Sequence, residues 1–389
     1  MTTALLLPTS RRSGRALTWL AFAMVPLCAL EAQVTGAVQG TVKSAQAGVA
    51  LPYAVISIPA LTVERFSDQQ GRFTLAAVPL GRHDVVVRRI GYAPFRGQVQ
   101  VDSGTAATLE VTLQQIPVRL AQTTVRALTA CPKPGVPDER VDPTAFTLLG
   151  LLRENADRYR LLSSQYPFIY LQIRALGELG DSAMLVQRVD TLLVRSANRA
   201  PYAPGRVVVR APDGGPAGEF AMVIPNITDL AGASFVDNHC FTYAGTHREK
   251  DETWMRIDVR AADRLATPDV NGSVYLDSAT SQLRRMTLSL SRADRLPRQL
   301  RSVQGADMVT SFLDIADGLS VIDKVCAVNR VRPPAGRVVT ATPAELQQLL
   351  VYEFTEPPPE VKKRGSMLAP KAWQANTRLE RKEVWCAAS

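Results

Sequence analysis

The chain has 389 residues, 46% of them hydrophobic and 21% charged, which is the composition of an ordinary globular protein with enough apolar side chains to build real cores. Its formal net charge of +9 is dispersed. The one basic run, Lys362-Lys363-Arg364 beside Pro357-Pro358-Pro359, reads as a solvated tail, and no basic face interleaved with aromatics points to nucleic acid. Attraction to an anionic envelope surface stays open.

In chain order, residues 1–32 come first. Arg11, Arg12 and Arg15 precede an apolar run from Ala16 to Leu30, and Leu30-Glu31-Ala32 ends in a small residue. This is the layout of a secretory signal cleaved after Ala32. The run is shorter than the roughly 20 residues of a membrane span and contains Pro26, so the mature chain is expected to have no transmembrane span. Leu27 is bulkier than the residue expected before a lipid-modified Cys28. Cleavage takes away three arginines and Glu31, leaving about +7, and it leaves four cysteines, Cys131, Cys240, Cys326 and Cys386. In an exported chain, periplasmic or associated with the outer membrane, four cysteines suggest two disulfides with three possible pairings. The expected pairs are Cys240 with Cys326, both in apparent strands, and Cys131 with Cys386, which would join a linker to the tail.

Residues 36–115 read as short strands. Leu51, Tyr53, Val55 and Ser57 alternate with Pro52, Ala54, Ile56 and Ile58, and Phe73, Leu75, Val85, Val87, Leu109, Val111 and Leu113 continue the period of two. Asp68 to Gly71 combines a side chain that bonds its own backbone with a residue free to take positive φ. It predicts a hairpin between Val63–Phe66 and Phe73–Leu75. The spacing of turn signals predicts a β-sandwich of about seven strands at most. The succession Leu51-Pro52-Tyr53-Ala54-Val55, Ser67-Asp68-Gln69-Gln70-Gly71-Arg72-Phe73-Thr74-Leu75, Val78-Pro79-Leu80-Gly81 and Ile90-Gly91-Tyr92 resembles the carboxypeptidase regulatory-like domain. The resemblance implies a transthyretin-like sandwich of the kind found beside many exported bacterial proteins. It confers no peptidase activity.

Prolines 117, 132, 134 and 137 mark residues 116–142 as a linker, and residues 143–389 as a second, α+β domain with a curved antiparallel sheet. Asp142-Pro143 is an N-cap with proline at the first helical position. Phe146, Leu149, Leu152, Ala156 and Tyr159 recur at helical spacing, so a helix is expected over about 143–163. From Phe168 the period becomes two. Met255, Ile257 and Val259 alternate with Trp254, Arg256, Asp258 and Arg260. Two hairpins are expected, from Gly272–Asp277 into Leu283–Leu290 and through Asp317-Gly318. Their rhythm resembles the curved sheet of periplasmic lipoprotein carriers. Thr342-Pro343-Ala344-Glu345 is a capping box that predicts a short helix through Leu350.

Chemistry is sparse. The only histidines are His83, His239 and His247, and neither His-Glu-x-x-His nor His-x-x-Glu occurs, so a zinc-peptidase site has no counterpart. No G-x-S-x-G elbow, P-loop or G-x-G-x-x-G is present. The remaining polar cluster is Asp237, His239 and His247 around Cys240; adjacent His239 and Cys240 in a strand would point to opposite faces, so they are not a dyad. Tyr92, Phe95, Trp254 and Tyr275 are candidate aromatics for a glycan or peptide groove. The expectation is a mainly β, non-catalytic binding or scaffolding protein of the cell envelope, with no cofactor and no metal, contacting an envelope protein, a glycan or a lipid. The alternatives are a hydrolase or peptidase-associated enzyme assembled around Asp237, His239 and His247, and an apolar-ligand carrier with a cavity lined by Met255, Ile257, Met286 and Leu288.

Overall fold

The alternating segments of the first domain become seven strands, β1 (Thr35–Ser44), β2 (Val55–Ile58), β3 (Val63–Phe66), β4 (Arg72–Pro79), β5 (Gly81–Arg88), β6 (Phe95–Val101) and β7 (Ala106–Leu113). This is a computed structural model, described at residues 34–116, 129–180, 183–196, 202–210, 220–222, 225–298, 303–331, 342–355 and 378–380. The leader, residues 117–128 of the linker, the basic run and Cys386 lie outside the described residues. The strands form two sheets, in the orders β4-β1-β7 and β3-β2-β5-β6, with β1 antiparallel to β4 and parallel to β7. Val38, Val42, Ile56, Leu75, Val85 and Val111, drawn from both sheets, are buried between them, which makes a sandwich.

The Asp68 turn forms as expected, but the hairpin does not. Asp68 Oδ1 accepts from the amides of Gln70 (2.9 Å) and Arg72 (2.8 Å), and Gly71 takes φ +71°. Yet β3 pairs with β2 and β4 pairs with β1, so the turn carries the chain from one sheet to the other. Both flanks have inward apolar residues, and a tight turn signal does not say whether its flanks pair or face each other.

The second domain begins with α1 (Pro143–Gln165), followed by β8 (Phe168–Leu179), β9 (Ala183–Arg195), β10 (Val208–Arg210), β11 (Phe220–Met222), and the single turns α2 (Ile227–Leu230) and α3 (Ala233–Val236). Then come β12 (His239–Glu249), β13 (Glu252–Ala261), β14 (Val270–Asp277), β15 (Leu283–Leu290), β16 (Val303–Ala316), β17 (Leu319–Val331), β18 (Thr342–Phe354) and β19 (Arg378–Glu380). Ten of these strands form one antiparallel sheet, ordered β12-β13-β14-β15-β16-β17-β18-β8-β9-β19. Both expected hairpins are present, as β14–β15 and as β16–β17 with Gly318 at φ +72°. The helix expected over residues 342–350 is instead β18, an inner strand paired with β17 on one side and β8 on the other. Two ladders of non-local hydrogen bonds outweigh a local capping pattern.

Helix α1 starts where its N-cap predicts: Asp142 Oδ1 accepts from the Ala145 amide at 2.8 Å. Leu148, Leu149, Leu152 and Leu162 are buried against Met255, Ile257 and Met286 of the sheet, and Tyr53, Val55 and Phe66 of the sandwich belong to the same apolar cluster. The helix therefore joins the two β-structures through one core. The opposite sheet face carries a smaller core with Ala175, Met184, Val186 and Leu346.

Asn155 fastens α1 to the β14–β15 hairpin. Its Nδ2 donates to Leu151 O (2.8 Å) and Ser281 O (3.0 Å), and its Oδ1 accepts from the Leu283 amide (3.0 Å). Asn155→Leu keeps the volume but strands two buried backbone groups, so urea unfolding should show a loss of about 2–3 kcal/mol. A loss below about 0.5 kcal/mol would mean the hairpin is held without it.

The disulfide pairing differs from expectation. Cys131 bonds Cys240, with Cα atoms 5.6 Å apart. Cys326 is also disulfide-bonded. Cys240 lies on β12 and Cys326 on β17, five strand spacings away, or about 24 Å at the usual sheet spacing, which no disulfide can bridge. Residues before α1 are consequently strapped along the edge of β12. Gly135 N donates to His239 O (3.0 Å), and Cys131 exchanges hydrogen bonds with Asp263 at 2.9 and 3.0 Å.

Candidate functional site

The expected polar cluster does not assemble. Asp237 is exposed at the end of α3, and His247 is exposed on β12, where it pairs with Glu249 at 3.3 Å. His239 is at the other end of the same strand, about 26 Å away at the usual rise, and is fully buried. Its ring stacks on Phe235, with centroids 3.7 Å apart. Nδ1 lies 2.9 Å from Phe235 O, and because a carbonyl only accepts, Nδ1 carries the proton. Nε2 lies 3.3 Å from Asp269 Oδ1, a contact too poorly aligned to be a hydrogen bond. Asp269, itself fully buried, also receives the Tyr202 hydroxyl and the amides of Gly205 and Val270, each at 2.8 Å. Burial alone would raise the Asp269 pKa; His239 and these donors outweigh it and hold the carboxyl below its ordinary value. Burial, then the neighbouring Asp269, drives the Tyr202 hydroxyl well above its usual value. With no solvent access, this group braces the α3–β12 corner.

Among the four candidate aromatics, Trp254 and Tyr275 meet on the sheet face away from α1, with ring centroids 6.1 Å apart and Arg285 over the indole at 4.8 Å. Trp254 is buried by these neighbours. Tyr92 and Phe95 pack on the sandwich core, so the four do not form one groove. Among the described residues no group of three His, Cys, Asp or Glu side chains could hold a metal, and no helix there is long and apolar enough to cross a membrane.

What the fold does build is a groove of about 590 Å³ on the outer face of the β4-β1-β7 sheet. Strand alternation places Thr41, Arg72 and Glu110 in one cross-strand row and Gln39, Thr74 and Thr108 in the next. Thr41 Oγ1 donates to Glu110 Oε2, and Arg72 Nε donates to Asp68 Oδ2 at 2.9 Å. The wall comes from the inter-sheet turn and from Tyr166, which caps α1. Phe66 N donates to Gln165 Oε1 at 3.2 Å, which pins the turn to the helix end. The floor is polar and pre-organised, and aromatic edges border it. These floor residues are the outward members of the alternation already visible in the sequence; the signal missing there was which three strands lie side by side.

Fold and site define a mainly β protein, a regulatory-type sandwich followed by a large antiparallel sheet. Residues 37–114 match the family model of the carboxypeptidase regulatory-like domain, about a fifth of the chain. No curated protein matches the sequence. Among solved structures, a LolA superfamily protein from Nitrosomonas europaea is 9% identical, with 54% of this chain and 92% of that one covered, at a TM-score of 0.26. A domain named for outer membrane lipoprotein sorting, from Vibrio parahaemolyticus, is 11% identical, with 52% and 92% covered and a TM-score of 0.26. The Bacillus anthracis TIE protein is 10% identical, with 81% of this chain and 48% of that one covered and a TM-score of 0.20. The similarity to the LolA superfamily is weak, and at these scores it carries no argument about function.

Proposed function

We propose that this chain is a non-catalytic binding or scaffolding protein of the cell envelope, and that its recognition site is the groove on the β4-β1-β7 face. The observation that carries the reading is the lining: hydroxyls, amides and one arginine–carboxylate pair on a rigid sheet suit an extended polar ligand, a glycan or peptide segment, rather than an acyl chain. The regulatory-like domain at residues 37–114 is compatible with an exported setting. The separation of Asp237, His239 and His247 removes support from the enzyme alternative. Met255, Ile257, Met286 and Leu288 are packed in the core under α1, which removes support from the carrier.

Thr108 is exposed on the groove floor. Thr108→Trp should fill the groove, leave the circular dichroism spectrum unchanged, and weaken binding to envelope material by about tenfold or more. Cosedimentation with murein sacculi, with envelope-lipid vesicles and with envelope proteins would measure it. Wild-type protein retained by none of the three would overturn the binding reading, and equal retention of the variant would remove the groove from it.

A further inference from the structure

The β4-β1-β7 sheet ends in β7, whose backbone ladder among the described residues runs to β1 alone. In such an end strand the N–H and C=O groups of alternate residues point away from the neighbour and stay open to another chain. Natural edges are blunted by lysine, proline or a bulge. Strand β7, Ala106-Ala107-Thr108-Leu109-Glu110-Val111-Thr112-Leu113, has none of these, and its register with β1 is unbroken over all eight residues. Other edges of the sandwich differ. Strand β3 lies against the end of α1, where Gln165 takes the Phe66 amide at 3.2 Å, and β6 carries the exposed Arg96. The groove is walled on its β4 side by the Asp68 turn and Tyr166, and its floor runs out at β7.

Ala106, Thr108, Glu110 and Thr112 are the exposed members of β7, and Glu110 is the one charge among them. It accepts from Thr41 Oγ1 and has no basic partner among the described residues. Arg72, the one basic residue lining the groove, stands two strand spacings away, about 10 Å. Its Nε and Nη2 are taken by Asp68 at 2.9 Å and Gln70 at 3.2 Å. A carboxylate in this place discriminates between strands. It repels an acidic one and favours one that brings a lysine or arginine to the position opposite. In a second copy, β7 has no basic residue to offer.

We propose that the ligand of the groove is an extended segment of a partner protein, which adds to the β7 edge as a fourth strand and sets a lysine or arginine beside Glu110. The inference rests on the groove reading above and takes its peptide branch over the glycan. Main-chain hydrogen bonds to β7 would give the affinity, and Glu110 with Thr108 the choice of sequence. A glycan has no ladder of alternating N–H and C=O groups to match the edge, so an open strand at the end of the groove floor favours a polypeptide.

The test titrates the full chain with a fluorescent peptide of about nine residues, alternating threonine and valine around a central lysine. Its counterparts are the same peptide with a central glutamate and the lysine peptide N-methylated throughout, which cannot donate to a ladder. The lysine peptide should bind at least about tenfold tighter than either counterpart, and Glu110→Lys should reverse the preference between lysine and glutamate. Equal binding of the methylated peptide, or an unchanged preference in Glu110→Lys, would overturn the proposal and leave the groove reading in place. So would failure of every peptide at about 1 mM while envelope proteins are still retained and Thr108→Trp still releases them. Loss of that retention as well would remove both readings. A dimer in sedimentation velocity that Glu110→Lys dissolves would give the edge to a second copy and overturn the proposal.

Discussion

Replacing Cys131 and Cys240 together by alanine is expected to lower the unfolding free energy by about 4 kcal/mol, on the loop-entropy scale for a crosslink closing roughly 100 residues. The two cysteines are 109 positions apart. Their bond fixes the segment before α1 to the edge of the ten-stranded sheet, so reduction would release both the strap and the alignment of the helix start. Asp142 contributes to the same fastening, because its Oδ2 accepts from Thr242 Oγ1 at 3.2 Å while Oδ1 caps the helix. Urea unfolding of the double variant measures the effect. A loss below about 1 kcal/mol would show that the backbone bonds of Gly135 and Cys131 hold the strap unaided.

Asp269→Ala is expected to cost about 3 kcal/mol or more, because it deletes a buried carboxylate and leaves the buried donors bonded to it without an acceptor. The substitution leaves His239, the Tyr202 hydroxyl and two amides facing a hole where four interactions converge. The pH dependence has a definite sign. Because the folded carboxyl is held below its ordinary value, its contribution is complete above the unfolded value of about 4 and fades as pH falls through the lower folded value. Asp269→Asn should therefore differ from the parent most at neutral pH, and the gap in melting midpoint should narrow below about pH 4. A gap constant from pH 7 to pH 2 would place the stabilisation elsewhere.

Local signals were the legible ones. Asp142-Pro143 marks the start of α1, Asp317-Gly318 turns β16 into β17, and the alternation of Met255, Ile257 and Val259 separates the buried from the outer face of β13. Each depends on neighbours within a few residues. Features that depend on which strands lie side by side were not legible. The Asp68 turn joins two sheets, Thr342–Phe354 is drawn into the sheet interior, and Cys240 finds Cys131 because the strap runs past β12. The same holds for the sites. Tyr202, His239 and Asp269 come from three separate stretches, and the groove floor needs β1 parallel to β7, a pairing that no turn between them announces.

Hydrogen exchange mass spectrometry of the protein with and without saturating envelope ligand tests the groove most directly. Binding there predicts added protection in residues 37–41, 66–74 and 106–110 together with the end of α1. Protection confined to the outer face of β12–β15 around Trp254, or none at all in the presence of retained ligand, would contradict it.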